Sequence, residues 1–299
     1  MASQFGSNNP LTTSRAWSDA YWWSNDGLRL HYRDYPGSPH RPPILCLPGL
    51  TRNARDFEAV AARLSPQWRV LALDLRGRGE SAYAKDAMSY VPLTYVQDVE
   101  RLLTELAIDR FVVLGTSLGG IVAMLLAATG HARVAAALLN DVGPTIEAAG
   151  LDRIRSYVGR GGAYPTWVHA ARIVAEFNAD VYPNYALADW LTMTKRLYRL
   201  TPGGRIVPDY DQKIAEPFRL PGGEAGIDLW PALDALADVP TVVVRGERSD
   251  LLALATAEEM VARLRSARLV TIPGVGHAPV LDEAAATEAI DTLLAQVAR

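Results

Sequence analysis

Cysteine is almost absent: Cys46 is the only one in 299 residues, so no disulfide can form within the chain. It stands in the apolar run ILCL and is read as a small core residue. No apolar run approaches the roughly 20 residues that a membrane-spanning helix needs. Neither sign of charge dominates. A net charge of -3 gives no electrostatic reason to expect nucleic acid or an anionic membrane as a partner. There is no H-E-x-x-H, no cysteine cluster and no G-x-G-x-x-G, so no metal and no organic cofactor is expected. The opening MASQFGSNNPLTTSR has no basic stretch leading into an apolar one. It is read as a loose leader rather than a secretory signal, and the cytoplasm is the expected location. Internal repeats and low-complexity tracts are also missing.

What is present is a rhythm. At 299 residues the chain suits one large α/β domain, or one domain with an insertion. Buried strands are predicted at PPILCLPG, WRVLALDLRG, RFVVLG, RVAAALLNDVGP, PTVVVRGE and RLVTIPG. Between them lie helical spacings, as in ARDFEAVAARLSP, ATAEEMVARLRSA and LDEAAATEAIDTLLAQVAR. Continuous apolar strands alternating with helices predict a mostly parallel sheet covered on both faces, an α/β fold. AYWWSNDGLRLHYRDY reads as a hairpin around Asn25-Asp26-Gly27.

The rhythm breaks over 144–235, where helical patches alternate with Thr201-Pro202-Gly203-Gly204 and Pro221-Gly222-Gly223. No strand is predicted there. The expected organisation is a leader at 1–20, a core made of 21–143 and 236–299, and a helical cap inserted at 144–235. The cap is rich in aromatics, among them Trp167 and Trp190, which are expected at a pocket for an apolar or aromatic substrate part.

The chemistry is expected at VVLGTSLGG, where a strand hands over to a helix. The position a dinucleotide fingerprint reserves for its middle glycine is Ser117, and the G-K-[ST] of a Walker loop is missing. The remaining readings are a helix-entry turn capped by Ser117 and the G-x-S-x-G nucleophile elbow. In the elbow, the serine hydroxyl stands exposed above the sheet, and Gly115 and Gly119 give the turn room. Ser117 then needs a base, and the base needs an orienting acid.

The chain has only five histidines. His31 lies in the hairpin, His40 in a proline-rich loop, His131 at the far end of the elbow helix and His169 in the cap. His277, in IPGVGHAPVLDE, follows a late strand, where α/β sheets place their chemistry. It is the expected base. For the acid, Asp250 in VVVRGERSD is favoured over Glu247 because it has loop enough to reach an imidazole. Asp141 in LLNDVGP is the rival. The oxyanion is expected to meet the N–H groups of Leu118 and of Leu50, the latter in LPGLTRN. Arg52 and Asn53 follow along that loop and are expected at the pocket mouth.

These residues carry a resemblance to the α/β-hydrolase superfamily, from about Tyr21 to the C-terminus. Ser117, Asp250 and His277 stand in the family's order of nucleophile, acid and base. DLRGRGES resembles a structural loop of the family, RGERSD its acid segment and PGVGH its histidine segment. Pro48-Gly49 replaces the usual His-Gly of the oxyanion loop, and Ser117 speaks against the branches with an aspartate nucleophile. The resemblance implies a serine hydrolase, carboxylesterase-like, with a small ester, lactone or thioester as substrate. Two alternatives stay open: a carbon–carbon bond hydrolase of ring-cleavage dienoates, whose carboxylates need an arginine, and a binding member of the fold without catalysis.

Overall fold

The computed structural model describes residues 16–219 and 228–297. The leader up to Arg15 and the Pro221-Gly222-Gly223 break lie outside the described residues. In chain order the elements are β1 (Ser18–Trp23), β2 (Arg29–Tyr35), β3 (Ile44–Leu47), α1 (Glu58–Leu64), β4 (Val70–Asp74), α2 (Pro92–Glu105), β5 (Phe111–Thr116), α3 (Leu118–Gly130) and β6 (Val134–Asn140). Then come α4 (Ala148–Tyr157), α5 (Trp167–Asn178), α6 (Leu187–Leu197), β7 (Tyr198–Leu200), β8 (Ile206–Pro208), α7 (Glu216–Arg219) and α8 (Trp230–Asp234). The chain closes with β9 (Thr241–Gly246), α9 (Leu254–Arg263), β10 (Ala267–Ile272) and α10 (Ala284–Val297).

The main sheet runs β1-β2-β4-β3-β5-β6-β9-β10. The β1–β2 and β2–β4 pairs are antiparallel, and every other pair is parallel. Strands β3, β4, β5, β6 and β9 are buried almost throughout, as their unbroken apolar runs require. One face of the sheet packs against α2, α3 and α8, the other against α1 and α10. Cys46 is fully buried and free, within the second of these layers.

Three expectations need correction. β1 begins at Ser18, inside the stretch 1–20 expected as leader, because Trp22 is buried and its indole N–H reaches the Asp98 carbonyl at 2.9 Å. Within 144–235, where no strand was predicted, β7 and β8 form an antiparallel ribbon. Its turn is Thr201-Pro202-Gly203-Gly204, with Gly204 at φ 75°. Strands of three residues are too short to show alternation. Finally, α8 falls inside the expected cap but belongs to the main core, where Leu233 packs with Val122 and Ala123. No described helix is long and apolar enough to cross a membrane.

The DLRGRGES loop is a hub. Asp74, at the end of β4, accepts from the Ala54 N–H at 2.7 Å and the Glu80 N–H at 3.0 Å, and its carboxylate meets His31 Nδ1 at 2.7 Å. The other ring nitrogen of His31 is 3.1 Å from Asp19. Burial of His31 disfavours the charged ring, but Asp74 and Asp19 outweigh it, and the pKa is raised above its ordinary 6.5. A raised folded-state pKa contributes stability that is complete below the unfolded value and fades as pH rises through the folded one. His31→Gln is therefore expected to cost about 1.5–3 kcal/mol near pH 6 and less at pH 9. Urea melts at the two pH values check this; an equal cost at both would contradict a charged His31.

Candidate active site

Ser117 sits between the last residue of β5 and the first of α3, with φ 53°. That left-handed backbone is unfavourable for a residue with a Cβ, and its neighbours hold it. The Ser117 N–H donates to the Asn140 carbonyl at 2.9 Å, and the Ser117 carbonyl accepts from the Gly120 N–H at 2.8 Å. The two elbow glycines are required by contact. A Cβ at Gly119 would run into the Leu47 carbonyl, and one at Gly115 into the Gly119 backbone. Removing both side chains lets α3 start directly behind β3 and β5, which brings the hydroxyl to the end of the sheet.

His277 meets Ser117 there. Its Nε2 lies 2.9 Å from Ser117 Oγ, and its Nδ1 lies 2.8 Å from Asp141 Oδ2. A carboxylate only accepts, so Nδ1 carries the proton and Nε2 is left to accept from the serine hydroxyl. Asp141 follows β6 directly, at φ 55°, and its side chain is wholly buried. Its Oδ1 accepts from the Gly246 N–H at 2.8 Å, and its Oδ2 also accepts from the Ser249 hydroxyl at 2.6 Å. A buried carboxylate with three donors is satisfied and fixed in orientation.

The favoured acid, Asp250, is not the one that meets the imidazole. It faces α4, where Arg153 grips it through Nε at 2.5 Å and Nη2 at 2.8 Å. Burial pushes the Asp250 pKa up, but Arg153 outweighs that and holds it below the ordinary carboxylate value. The loop that seemed to give Asp250 reach instead presents Ser249 to Asp141 and leaves Asp250 paired with Arg153. Glu247 accepts the Gly274 N–H at 2.7 Å and serves the turn before His277.

The histidine loop is tied from two sides. The Gly276 N–H donates to the Val181 carbonyl at 2.8 Å, and the Tyr182 hydroxyl donates to the Ala278 carbonyl at 2.5 Å. From the core, Asn140 Nδ2 donates to the Pro279 carbonyl at 2.8 Å and to Thr116 Oγ1 at 3.1 Å. Asn140 thus couples the elbow to the histidine loop, a role carried only by its position beside Asp141. Nothing in the local sequence marked it or Tyr182.

A cavity of about 150 Å³ opens onto Ser117 and His277. Its walls include Gly49, Leu50 and Arg52 from the loop after β3, and Tyr157, Val174 and Tyr182 from the inserted segment. The Leu118 N–H, at the first position of α3, has no acceptor within the helix. The Leu50 carbonyl is fixed by Arg78 Nε at 2.8 Å. Arg52 lines the cavity, locked to Asp56 at 2.5 and 2.9 Å.

The other expected pocket residues do not line it. Asn53 is buried, accepting from the Arg55 N–H at 3.1 Å and donating to the Arg196 carbonyl at 2.8 Å. Trp190 packs into a small core of the inserted segment, its ring 5.0 Å from Tyr185 and 6.2 Å from Tyr182. Trp167 opens α5, half-buried and away from the cavity wall. Among the described residues no cluster of three or more His, Cys, Asp or Glu side chains is placed to hold a metal.

Comparison with known proteins agrees with this architecture. A family model described as the alpha/beta hydrolase family matches residues 44–290. The 3-hydroxybutyrate-oligomer hydrolase of Cupriavidus necator is 35% identical over 261 residues, 84% of this chain and 87% of that protein. The 2-(acetamidomethylene)succinate hydrolase of Mesorhizobium japonicum is 29% identical over 79% of this chain and 81% of that one. Among solved structures, an alpha/beta hydrolase from Novosphingobium aromaticivorans superposes with a TM-score of 0.91 at 55% identity, covering 94% of this chain and 99% of that one.

Proposed function

The chain belongs to the alpha/beta hydrolase family, and from that premise we propose that it is a serine hydrolase cleaving small carboxylic esters through an acyl-enzyme at Ser117. The observation that carries this reading is the unbroken relay from Ser117 Oγ to His277 at 2.9 Å and on to Asp141 at 2.8 Å. His277 takes the hydroxyl proton as Ser117 attacks the carbonyl carbon. Asp141 holds the tautomer and stabilises the imidazolium that forms. The Leu50 and Leu118 N–H groups receive the oxyanion. Collapse expels the alcohol, which takes its proton from His277. A water activated by the same histidine then releases the acid and frees Ser117.

The segment between β6 and β9 acts as a cap, since its side chains close the cavity over the serine. For the substrate, the 3-hydroxybutyrate-oligomer hydrolase offers the most specific lead, because it matches along most of both chains. An oligomer of a short hydroxy acid presents the bond this relay suits: an ester with a small acyl part and an alcohol leaving group.

The test is a panel holding a 3-hydroxybutyrate dimer, p-nitrophenyl butyrate, a lactone and a ring-cleavage dienoate. Turnover of the dimer with kcat/KM of order 10⁴ M⁻¹ s⁻¹ or more is expected. Cleavage of the dienoate alone would replace the ester reading by carbon–carbon hydrolysis, and silence on every substrate from folded protein would contradict catalysis.

A further inference from the structure

The inserted segment carries many arginines, and the structure sorts them. Arg153 pairs with Asp250, Arg155 with Asp152 at 3.1 Å, and Arg199 with Asp209 at 3.3 Å. Arg205 donates to the Ala163 carbonyl at 2.8 Å. Arg172 does not reach the cavity wall. Two others, Arg160 and Arg196, line the cavity that holds Ser117 and His277. Among the described residues, no carboxylate and no carbonyl pairs with either guanidinium. Arg160 and Arg196 thus join two properties: they line the cavity, and among the described residues neither has a counter-charge.

The cavity's own charges sharpen the point. Among the described residues its lining contains a single carboxylate, Asp56, and that carboxylate is held by Arg52 in a two-bond pair at 2.5 and 2.9 Å. Two positive charges therefore remain over. The tyrosines beside them stay neutral donors: burial raises the pKa of Tyr157, Tyr198 and Tyr210. Arg196 is also held from behind, because its carbonyl accepts from Asn53 at 2.8 Å and from Arg55 at 2.8 and 3.0 Å. Its backbone is therefore fixed at the end of α6 while its guanidinium stays available. A neutral ester would leave these two charges uncompensated. A planar anion would accept the forked donors of a guanidinium.

We infer that Arg160 and Arg196 form a carboxylate subsite, so that the substrate is an anionic ester: its scissile carbonyl at Ser117 and a free carboxylate on the part held by the cap. This rests on the hydrolase reading of Ser117 and names the substrate class of that site. The half-buried Arg196 supplies the anchor, and the exposed Arg160 draws the anion to the mouth.

The experiment compares the 3-hydroxybutyrate dimer as free acid with the same dimer capped as a primary amide. Wild type is expected to favour the acid by roughly 10- to 100-fold in kcat/KM, chiefly through KM. In the Arg160→Gln/Arg196→Gln double variant that ratio falls to about one, while Arg196→Lys keeps part of it. Equal cleavage of acid and amide by wild type would overturn the subsite, as would a preference that survives in the double variant.

Turnover of p-nitrophenyl butyrate separates the two levels. Its hydrolysis without an acid preference for the dimer removes the subsite alone, and absence of turnover of both it and the dimer removes the ester-hydrolase reading. Binding needs no turnover: calorimetry of 3-hydroxybutyrate with Ser117→Ala protein is expected to show an affinity at least tenfold weaker when both arginines are replaced. Absent binding, or binding the arginines do not alter, would also overturn it.

Discussion

Ser117→Ala is expected to lower ester hydrolysis by roughly 10⁴- to 10⁶-fold with no loss of fold. The oxygen removed is the one 2.9 Å from His277 Nε2, and no other hydroxyl in the described structure bonds to that nitrogen. Alanine keeps the Cβ and the same left-handed backbone, and the Ser117 N–H still has the Asn140 carbonyl to bond at 2.9 Å. The elbow therefore survives the change. Background turnover remains, because backbone N–H groups that receive an oxyanion do not depend on the serine side chain. Initial rates on p-nitrophenyl butyrate, set beside thermal melts of both proteins, check this. A folded variant that keeps a tenth of the wild-type rate would mean that Ser117 is not the nucleophile.

Replacing the acid should separate two aspartates that look equivalent in sequence. Asp141→Asn is expected to lower kcat by roughly 10⁴-fold. Asparagine is tolerated at a positive φ such as the 55° of this residue, so the turn is kept. Its amide can donate to His277 Nδ1, which favours the tautomer with the proton on Nε2, and that nitrogen can then no longer accept from Ser117. Asp250→Asn is expected to stay within about tenfold of wild type, because the hydrogen bonds it loses are those of its pair with Arg153 and its charge reaches His277 only through space. That pair is partly exposed, with side-chain accessibilities of 23% and 32%, and contributes about 0–1 kcal/mol.

The pair's pH dependence has a definite sign. The Asp250 pKa is lowered in the fold, so its contribution is present above the ordinary carboxylate range and lost as pH falls through the folded value. Steady-state kinetics on both variants, with urea melts of Asp250→Asn at pH 7 and pH 3, check both parts. A crippled Asp250→Asn beside an active Asp141→Asn would reverse the assignment.

The contrast between these aspartates shows where local sequence stops being informative. The parallel strands were legible because burial on both faces demands continuous apolar runs, as in VLALD and VAAALLN. Ser117 was legible because a strand, a glycine-flanked turn and a helix occupy one short stretch. His277 was marked by scarcity and by its place after a late strand. The carboxylate that meets His277 depends on a fact no local pattern holds: β6 lies directly beside β5 in the sheet. The residue that ends β6 is thereby brought next to the elbow. Asp141 and Asp250 both lie between Ser117 and His277 in the chain, so order alone does not choose between them.

The inserted segment was harder still. Its aromatics resemble a binding surface in composition, yet Trp190, Tyr182 and Tyr185 pack on one another to hold that segment together. The arginines could be sorted only once their partners were in view, some as far along the chain as Asp250 for Arg153 and others as near as Asp152 for Arg155.

The most direct measurement is covalent trapping of the nucleophile. Wild-type protein treated with diethyl p-nitrophenyl phosphate is expected to release one equivalent of p-nitrophenol and gain one diethylphosphoryl group. Peptide mapping is expected to place that group on Ser117, and Ser117→Ala protein is expected to gain none. Ester turnover that continues without an adduct, or an adduct on any residue other than Ser117, would contradict the acyl-enzyme.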